Sequence, residues 1–139
     1  MDQKLQKQLE AKGVHFTHLA KELVALLVTS KTPLSIHDIQ SQFKKKSFNP
    51  YRSSIFRQLS RLTLLGFTEK NIFSNGKEHY CWIDGHHHHF ECKECGQIEK
   101  IEMDKCCSIE DSVKHDLKKP GYQVTSHHLT FAGLCPKCS

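Results

Sequence analysis

The chain has 139 residues, 20 Lys/Arg against 15 Asp/Glu, and 11 His and 7 Cys, a length that allows one domain or two small ones. Residues 1–84 carry 13 Lys/Arg and 7 Asp/Glu, a net +6, whereas residues 85–139 carry 7 and 8, a net −1; the basic charge sits where a polyanion would be met. The longest clearly apolar run, Leu23 to Val28, is far too short for a bilayer, no signal peptide is visible, and a cytoplasmic location without membrane partners is expected.

Residues 1–12 read as a short polar helix with Leu5 and Leu9 on one face, ended near Gly13. Thr17 caps a second helix, in which Leu19, Leu23, Leu26, Leu27 and Ser30 recur at helical spacing until Lys31-Thr32-Pro33 breaks it. Ser35-x-x-Asp38 is a capping-box pattern that opens a third helix with Ile36, Ile39 and Phe43 inward. After Lys44-Lys45-Lys46, Asn49 as N-cap and Pro50 at the first helical position predict a fourth helix running to Leu65, with Gly66 past its end. Its inward stripe is Ile55, Leu59, Leu62 and Leu65. Its other face carries Tyr51, Arg52, Ser54, Arg57, Ser60 and Arg61, side chains able to contact phosphates and base edges. Taken alone, that face is also what an ordinary solvated basic helix looks like. Two strands, 67–73 and 77–83, then flank Ser74-Asn75-Gly76, where Asn-Gly predicts a tight hairpin. Capped helix, basic helix and hairpin in this order make a winged helix-turn-helix over residues 1–84, with Asp84-Gly85 as a hinge into a second domain over 85–139.

The second domain is dense in metal ligands. Cys92-x-x-Cys95 and Cys135-x-x-Cys138 supply four thiolates on two chelating turns, the donor set of structural tetrahedral zinc; in a reducing compartment this spacing reads as metal ligation before disulfides. Gly96 and Gly133 allow close backbone approach. The intervening residues are expected to form a strand at 97–103, a helix at about 105–118, a turn at Pro120-Gly121 and a strand at 122–131. Four consecutive histidines, His86 to His89, precede the first Cys-x-x-Cys. In extended chain, side chains alternate in direction, so His86 and His88 share one face and His87 and His89 the other. Cys81 is near enough across a short turn to join His87 and His89, and a thiolate among imidazoles favours zinc. Cys106 and Cys107, near a helix start, are metal ligands, redox-sensitive thiols or apolar filler. Only one of His127 and His128 can face the sheet interior, and His15, His18, His37 and His115 read as surface residues. No His-Glu-x-x-His or comparable base motif is present for a zinc hydrolase.

The pattern resembles the ferric uptake regulator family of bacterial metal-dependent repressors over nearly the whole chain. The matching features are Ser54-Ile55-Phe56-Arg57-Gln58-Leu59 with Leu65-Gly66-Phe67, the hairpin Asn75-Gly76-Lys77-x-x-Tyr80, the His run before Cys92-x-x-Cys95-Gly96, and His127-x-Leu129-x-x-x-Gly133-x-Cys135-x-x-Cys138. The resemblance implies an α+β protein, a homodimer with an N-terminal winged helix and a C-terminal α/β dimerisation domain. It also implies a regulatory metal site at the hinge, whose occupancy fits the two DNA-binding domains to an A·T-rich palindrome. It puts Cys81, His87 and His89 at the hinge site, with Glu69 as the candidate fourth ligand, and His86, His88 and His127 at a further site completed by Cys107, Glu110 or water. A cysteine at position 81 looks like the zinc-sensing branch (Zur); iron sensors tend to have a carboxylate there. The expectation is therefore a zinc-responsive repressor of zinc uptake genes, not an enzyme, with Zn2+ in structural and regulatory roles and Fe2+ less favoured. An iron- or peroxide-responsive regulator of the same family is the alternative. The chain departs from the family in having Phe56 before Arg57 in place of tyrosine, His88 in place of aspartate, and Cys107 in place of a carboxylate.

Overall fold

A computed structural model of the chain describes residues 2–102, 113, 115–117, 122–123 and 127–139. The chain divides into two compact units, Met1–Asp84 and Gly85–Ser139. No helix among the described residues is long and apolar enough to cross a membrane.

The N-terminal unit has four helices and a small sheet. α1 (Gln3–Ala11) ends before Gly13, whose φ of 83° needs a residue without a Cβ. α2 (His18–Thr29) starts on Thr17, whose side chain accepts the Ala20 N–H. α3 (Ile36–Lys45) starts on the full capping box: Ser35 Oγ accepts the Asp38 N–H, and the Asp38 carboxylate accepts the Ser35 N–H. α4 (Arg52–Leu64) begins two residues later than Asn49-Pro50 predicts. Tyr51, in extended conformation, is the N-cap, and its carbonyl accepts the first helical N–H bonds from Ser54 and Ile55. Asn49-Pro50 instead belongs to the link after Ser47, whose φ of 56° turns the chain out of α3. Proline's fixed φ suits such a connector as well as a first helical turn, which is why the sequence signal pointed too early.

Leu9, Leu23, Val24, Leu27, Ile39, Phe43, Ile55, Leu59, Leu62 and Tyr80 form one core where the four helices meet the sheet. Leu65, Leu19 and Leu26 pack at its margin, while Ser30 ends α2 and bonds the Thr32 carbonyl rather than facing the core. The sheet is antiparallel, in the order β1 (Leu34–Ser35), β3 (Glu78–Trp82), β2 (Thr68–Ile72). The β2–β3 register runs Thr68↔Trp82, Glu69↔Cys81, Lys70↔Tyr80 to Ile72↔Glu78. Five residues therefore separate the strands. Gly76 has a φ of 71° and donates to the Phe73 carbonyl, while Asn75 keeps a negative φ. The hairpin loop is thus longer than a two-residue type I′ turn, which needs positive φ at both central positions.

The Asp38 carboxyl gives the N-terminal unit a specific acid sensitivity. Burial pushes its pKa up, but the Ser35 hydroxyl and N–H, with the nearby His79 and His37, together bring it below the ordinary aspartate value. A depressed folded-state pKa contributes stability that is complete above the unfolded value, about 3.9, and is lost as pH falls through the folded value. Ser35→Ala removes one side of the capping box and is expected to cost about 1 kcal/mol. Calorimetric melting at neutral pH reads that loss, which should shrink as the pH is lowered below 4. A variant melting with the parent at both pH values would show the cap to be idle.

The C-terminal unit holds a second sheet, in the order β5 (Ile98–Ile101), β4 (His88–Cys92), β6 (Thr130–Gly133). β4 pairs antiparallel with β5 and parallel with β6, in the registers His89↔Lys100 and Cys92↔Gly133. A Cβ on Gly133 would lie 3.3 Å from the Phe90 ring, so glycine permits this close strand approach. β5 lies within the predicted strand 97–103, whereas the predicted strand 122–131 meets β6 at Thr130 and Phe131 alone among the described residues, with 122–123 and 127–129 outside regular structure and β6 running on to Gly133. Around residue 115 the chain is helical, with the Leu117 N–H donating to the Val113 carbonyl. Cys106, Cys107, Glu110, most of the predicted helix and the Pro120-Gly121 turn lie outside the described residues.

Candidate functional site

Each Cys-x-x-Cys forms a turn. Gly96, at φ 71°, donates to the Cys92 carbonyl, and the Cys138 N–H donates to the Cys135 carbonyl. The parallel β4–β6 pairing carries Cys92 beside Gly133, and the Lys93 N–H donates to the Gly133 carbonyl, so the two turns face one another. All four sulfurs lie within 4.8 Å of one another, and Cys95 and Cys135 Sγ are 3.8 Å apart. A tetrahedron with Zn–S bonds of about 2.3 Å has edges of roughly 3.8 Å, so the donor set fits zinc in chemistry and size. The thiols are not equivalent. The backbone N–H groups of Cys95 and Cys135 pull Cys92 down to about 6, whereas the bond to the Cys135 sulfur and then burial push Cys138 up to about 12.

The histidine rings pair two by two. His86 and His88 are edge-to-face with Nε2 atoms 3.1 Å apart, and His127 closes the group with ring centroids 4.7 Å from His86 and 5.4 Å from His88. Ligand nitrogens of the three lie within 4.8 Å of one another. Tetrahedral imidazole ligation at about 2.0 Å requires N···N edges near 3.3 Å, so this set also fits a metal. His87 and His89 form the other pair, with centroids 5.0 Å apart, and the His87 Nδ1 lies 3.1 Å from the Gly85 carbonyl. Only His88 and His89 lie within β4, yet the side chains still alternate across the preceding turn.

In the N-terminal unit, the hairpin register sets Glu69 directly opposite Cys81, so both side chains share one face. The Cys81 thiol donates to Glu69 Oε1 at 3.1 Å. Asn71, two residues along β2 on the same face, donates to that oxygen at 3.3 Å and lies 4.0 Å from the sulfur. Its orienting role escaped the sequence reading, although period-two spacing from Glu69 carried the signal.

On α4, Tyr51, Arg52, Arg57, Ser60 and Arg61 are exposed and Ser54 is half-buried. Phe56 beside Arg57 is 48% exposed, so an apolar ring takes the place of a hydroxyl-bearing one on this face. Arg61 differs from its neighbours: its guanidinium donates to the Gly13 carbonyl and ties the α1–α2 link to α4.

The family model "Ferric uptake regulator family" matches residues 11–132. The ferric uptake regulation protein of Bacillus subtilis is 30% identical over 141 residues, covering 98% of this chain and 93% of its own length. Among solved structures, the Helicobacter pylori ferric uptake regulator, a protein with three functional metal binding sites, is 26% identical with a TM-score of 0.75, over 97% of this chain and 89% of its own. FurB of M. tuberculosis, a zinc uptake regulator, has a TM-score of 0.50 at 22% identity, over 94% and 99% of the two chains. Winged-helix order, paired cysteine turns and near-full-length matches converge, and the chain belongs to the ferric uptake regulator family, whose members are metal-responsive, dimeric DNA-binding transcription regulators rather than enzymes.

Proposed function

We propose that this regulator is a zinc-responsive repressor of zinc uptake genes, acting in the cytoplasm as a metal-loaded homodimer on palindromic A·T-rich operators. In this reading Cys92, Cys95, Cys135 and Cys138 hold a structural zinc. Cys81, Glu69, His87 and His89 hold the regulatory zinc at the hinge after Asp84, joining residues 1–84, the DNA-binding domain, to residues 85–139, the dimerisation domain. His86, His88 and His127, with Cys107, Glu110 or water, form a third site. Tyr51, Arg52, Ser54, Arg57 and Arg61 contact DNA.

The observation that carries zinc over iron is the Cys81 thiol facing the Glu69 carboxylate across the hairpin at 3.1 Å. Thiolate with imidazole is a softer set than the carboxylate and imidazole set suited to ferrous iron. The second reading, an iron- or peroxide-responsive regulator, draws on the names of relatives such as the B. subtilis protein. Anaerobic titration of DNA binding against buffered free zinc and ferrous iron separates the two. Zinc is expected to drive binding at far lower free concentration. Ferrous iron acting at equal or lower concentration would replace zinc with iron in this reading.

A further inference from the structure

A cavity of about 490 Å³ opens where the first turn of α3, the start of α4 and the hairpin loop meet, lined among others by His37, Arg52, Lys77 and Glu78. Its charge is positive. Glu78 is already engaged, one oxygen taking Lys70 Nζ at 2.9 Å and the other the Tyr80 hydroxyl at 2.9 Å. Neither the Arg52 guanidinium nor the Lys77 ammonium has an acidic partner among the described residues. Two unpaired cations from different elements thus line one recess.

The recess is distinct from the outward face of α4. Arg52 precedes Ile55 by three residues and Leu59 by seven, so it begins the stripe that runs into the core. Arg57 lies about 140° further round the helix. On the hairpin side, Gly76 turns the loop and the Asn75 side chain accepts the Lys77 N–H at 2.8 Å, holding the lysine's backbone in place.

We propose that this cavity is a phosphate seat, taking a backbone phosphodiester of duplex DNA between Arg52 and Lys77, with the His37 imidazole at its rim. It rests on the DNA-binding role of the N-terminal unit and adds a division of labour within it. Arg57 and its neighbours on the outward face meet base edges, while Arg52 and Lys77 fix register on the sugar–phosphate strand and carry no sequence information.

The test uses the full zinc-loaded chain and two mixed-sequence DNA duplexes of unrelated sequence, with affinity measured across a salt series. Arg52→Gln and Lys77→Gln are each expected to weaken binding to both duplexes by the same factor. Each should lower the slope of log affinity against log salt by about 0.9, the release of counterions from one phosphate contact. Melting temperatures read alongside establish that the variants are folded. Folded variants with the parent's slope overturn the phosphate seat and leave DNA binding standing. A loss confined to one duplex assigns these residues to base reading and overturns it as well. A parent chain that binds neither duplex even at the lowest salt, where backbone charge alone holds a DNA-binding protein, overturns the DNA-binding role itself and this inference with it.

Discussion

Stripping metal from Cys92, Cys95, Cys135 and Cys138, or replacing Cys92 with serine, is expected to unfold residues 85–139 rather than merely silence them. Among the described residues of that unit, Ile98 is the one buried aliphatic side chain. Its other buried groups are Cys92, Cys135, Glu91 and the histidines His87, His88 and His89. A unit of this size buries too little apolar surface to offset its conformational entropy unaided. Zinc on four thiolates supplies about 10–16 kcal/mol in small zinc domains, most of which appears as folding energy because the unfolded chain has no preformed site. Hydrogen exchange after chelation reads the outcome directly: the β4 and β6 amides, including the Lys93 N–H on the Gly133 carbonyl, should lose protection while the α2 and α4 amides keep it. Retained protection in β4 and β6 would show that the four-cysteine set is not the keystone of this unit.

Cys81→Ser carries the second large effect, and it falls on regulation rather than folding. Serine keeps the shape of the side chain and can still donate to Glu69, so the β2–β3 hairpin should stay intact. It removes the one soft donor from the proposed regulatory set. The parent's DNA affinity should rise with zinc by about 5- to 150-fold, the usual range of coupling between two sites. The variant should bind DNA at the metal-free level whatever the zinc, with one fewer zinc per chain and an unchanged melting temperature for the N-terminal unit. A full zinc response in Cys81→Ser would remove Cys81 from the regulatory site.

Much of this was legible because side-chain spacing maps directly onto backbone geometry. The Ser35–Asp38 capping box, Thr17 as a cap and the Ile36, Ile39, Phe43 stripe follow from the helical repeat, and the structure has them all. Side-chain alternation likewise sorts four adjacent histidines into two pairs, although only His88 and His89 lie in β4. What stayed hidden depends on partners distant in sequence. β1 is two residues long, too short for any periodicity, and exists because Leu34 and Ser35 pair with Tyr80 and His79. The parallel pairing of β4 with β6 is a tertiary choice that neither strand announces. Asn49-Pro50 misled because its local preference suits a connector as well as a helix start. Metal preference is only partly legible: the thiol at position 81 argues for zinc, while the family it belongs to spans several metals.

The parallel β4–β6 pairing also bears on how quickly the C-terminal unit can assemble. Cys92 and Cys135 stand 43 residues apart, yet the Cys135 N–H donates to the Cys92 sulfur. Bringing them together requires a long loop to close before any contact rewards it, with an entropic cost that grows with the logarithm of loop length. Without a metal that search is repeated with each attempt. A cation captured by one cysteine pair gives the other pair a strong target, so metal supply should govern the folding rate as well as the final stability. In the proposed role, the cell's metal level would then be read twice by one chain, first as a ligand that drives folding and later as a signal.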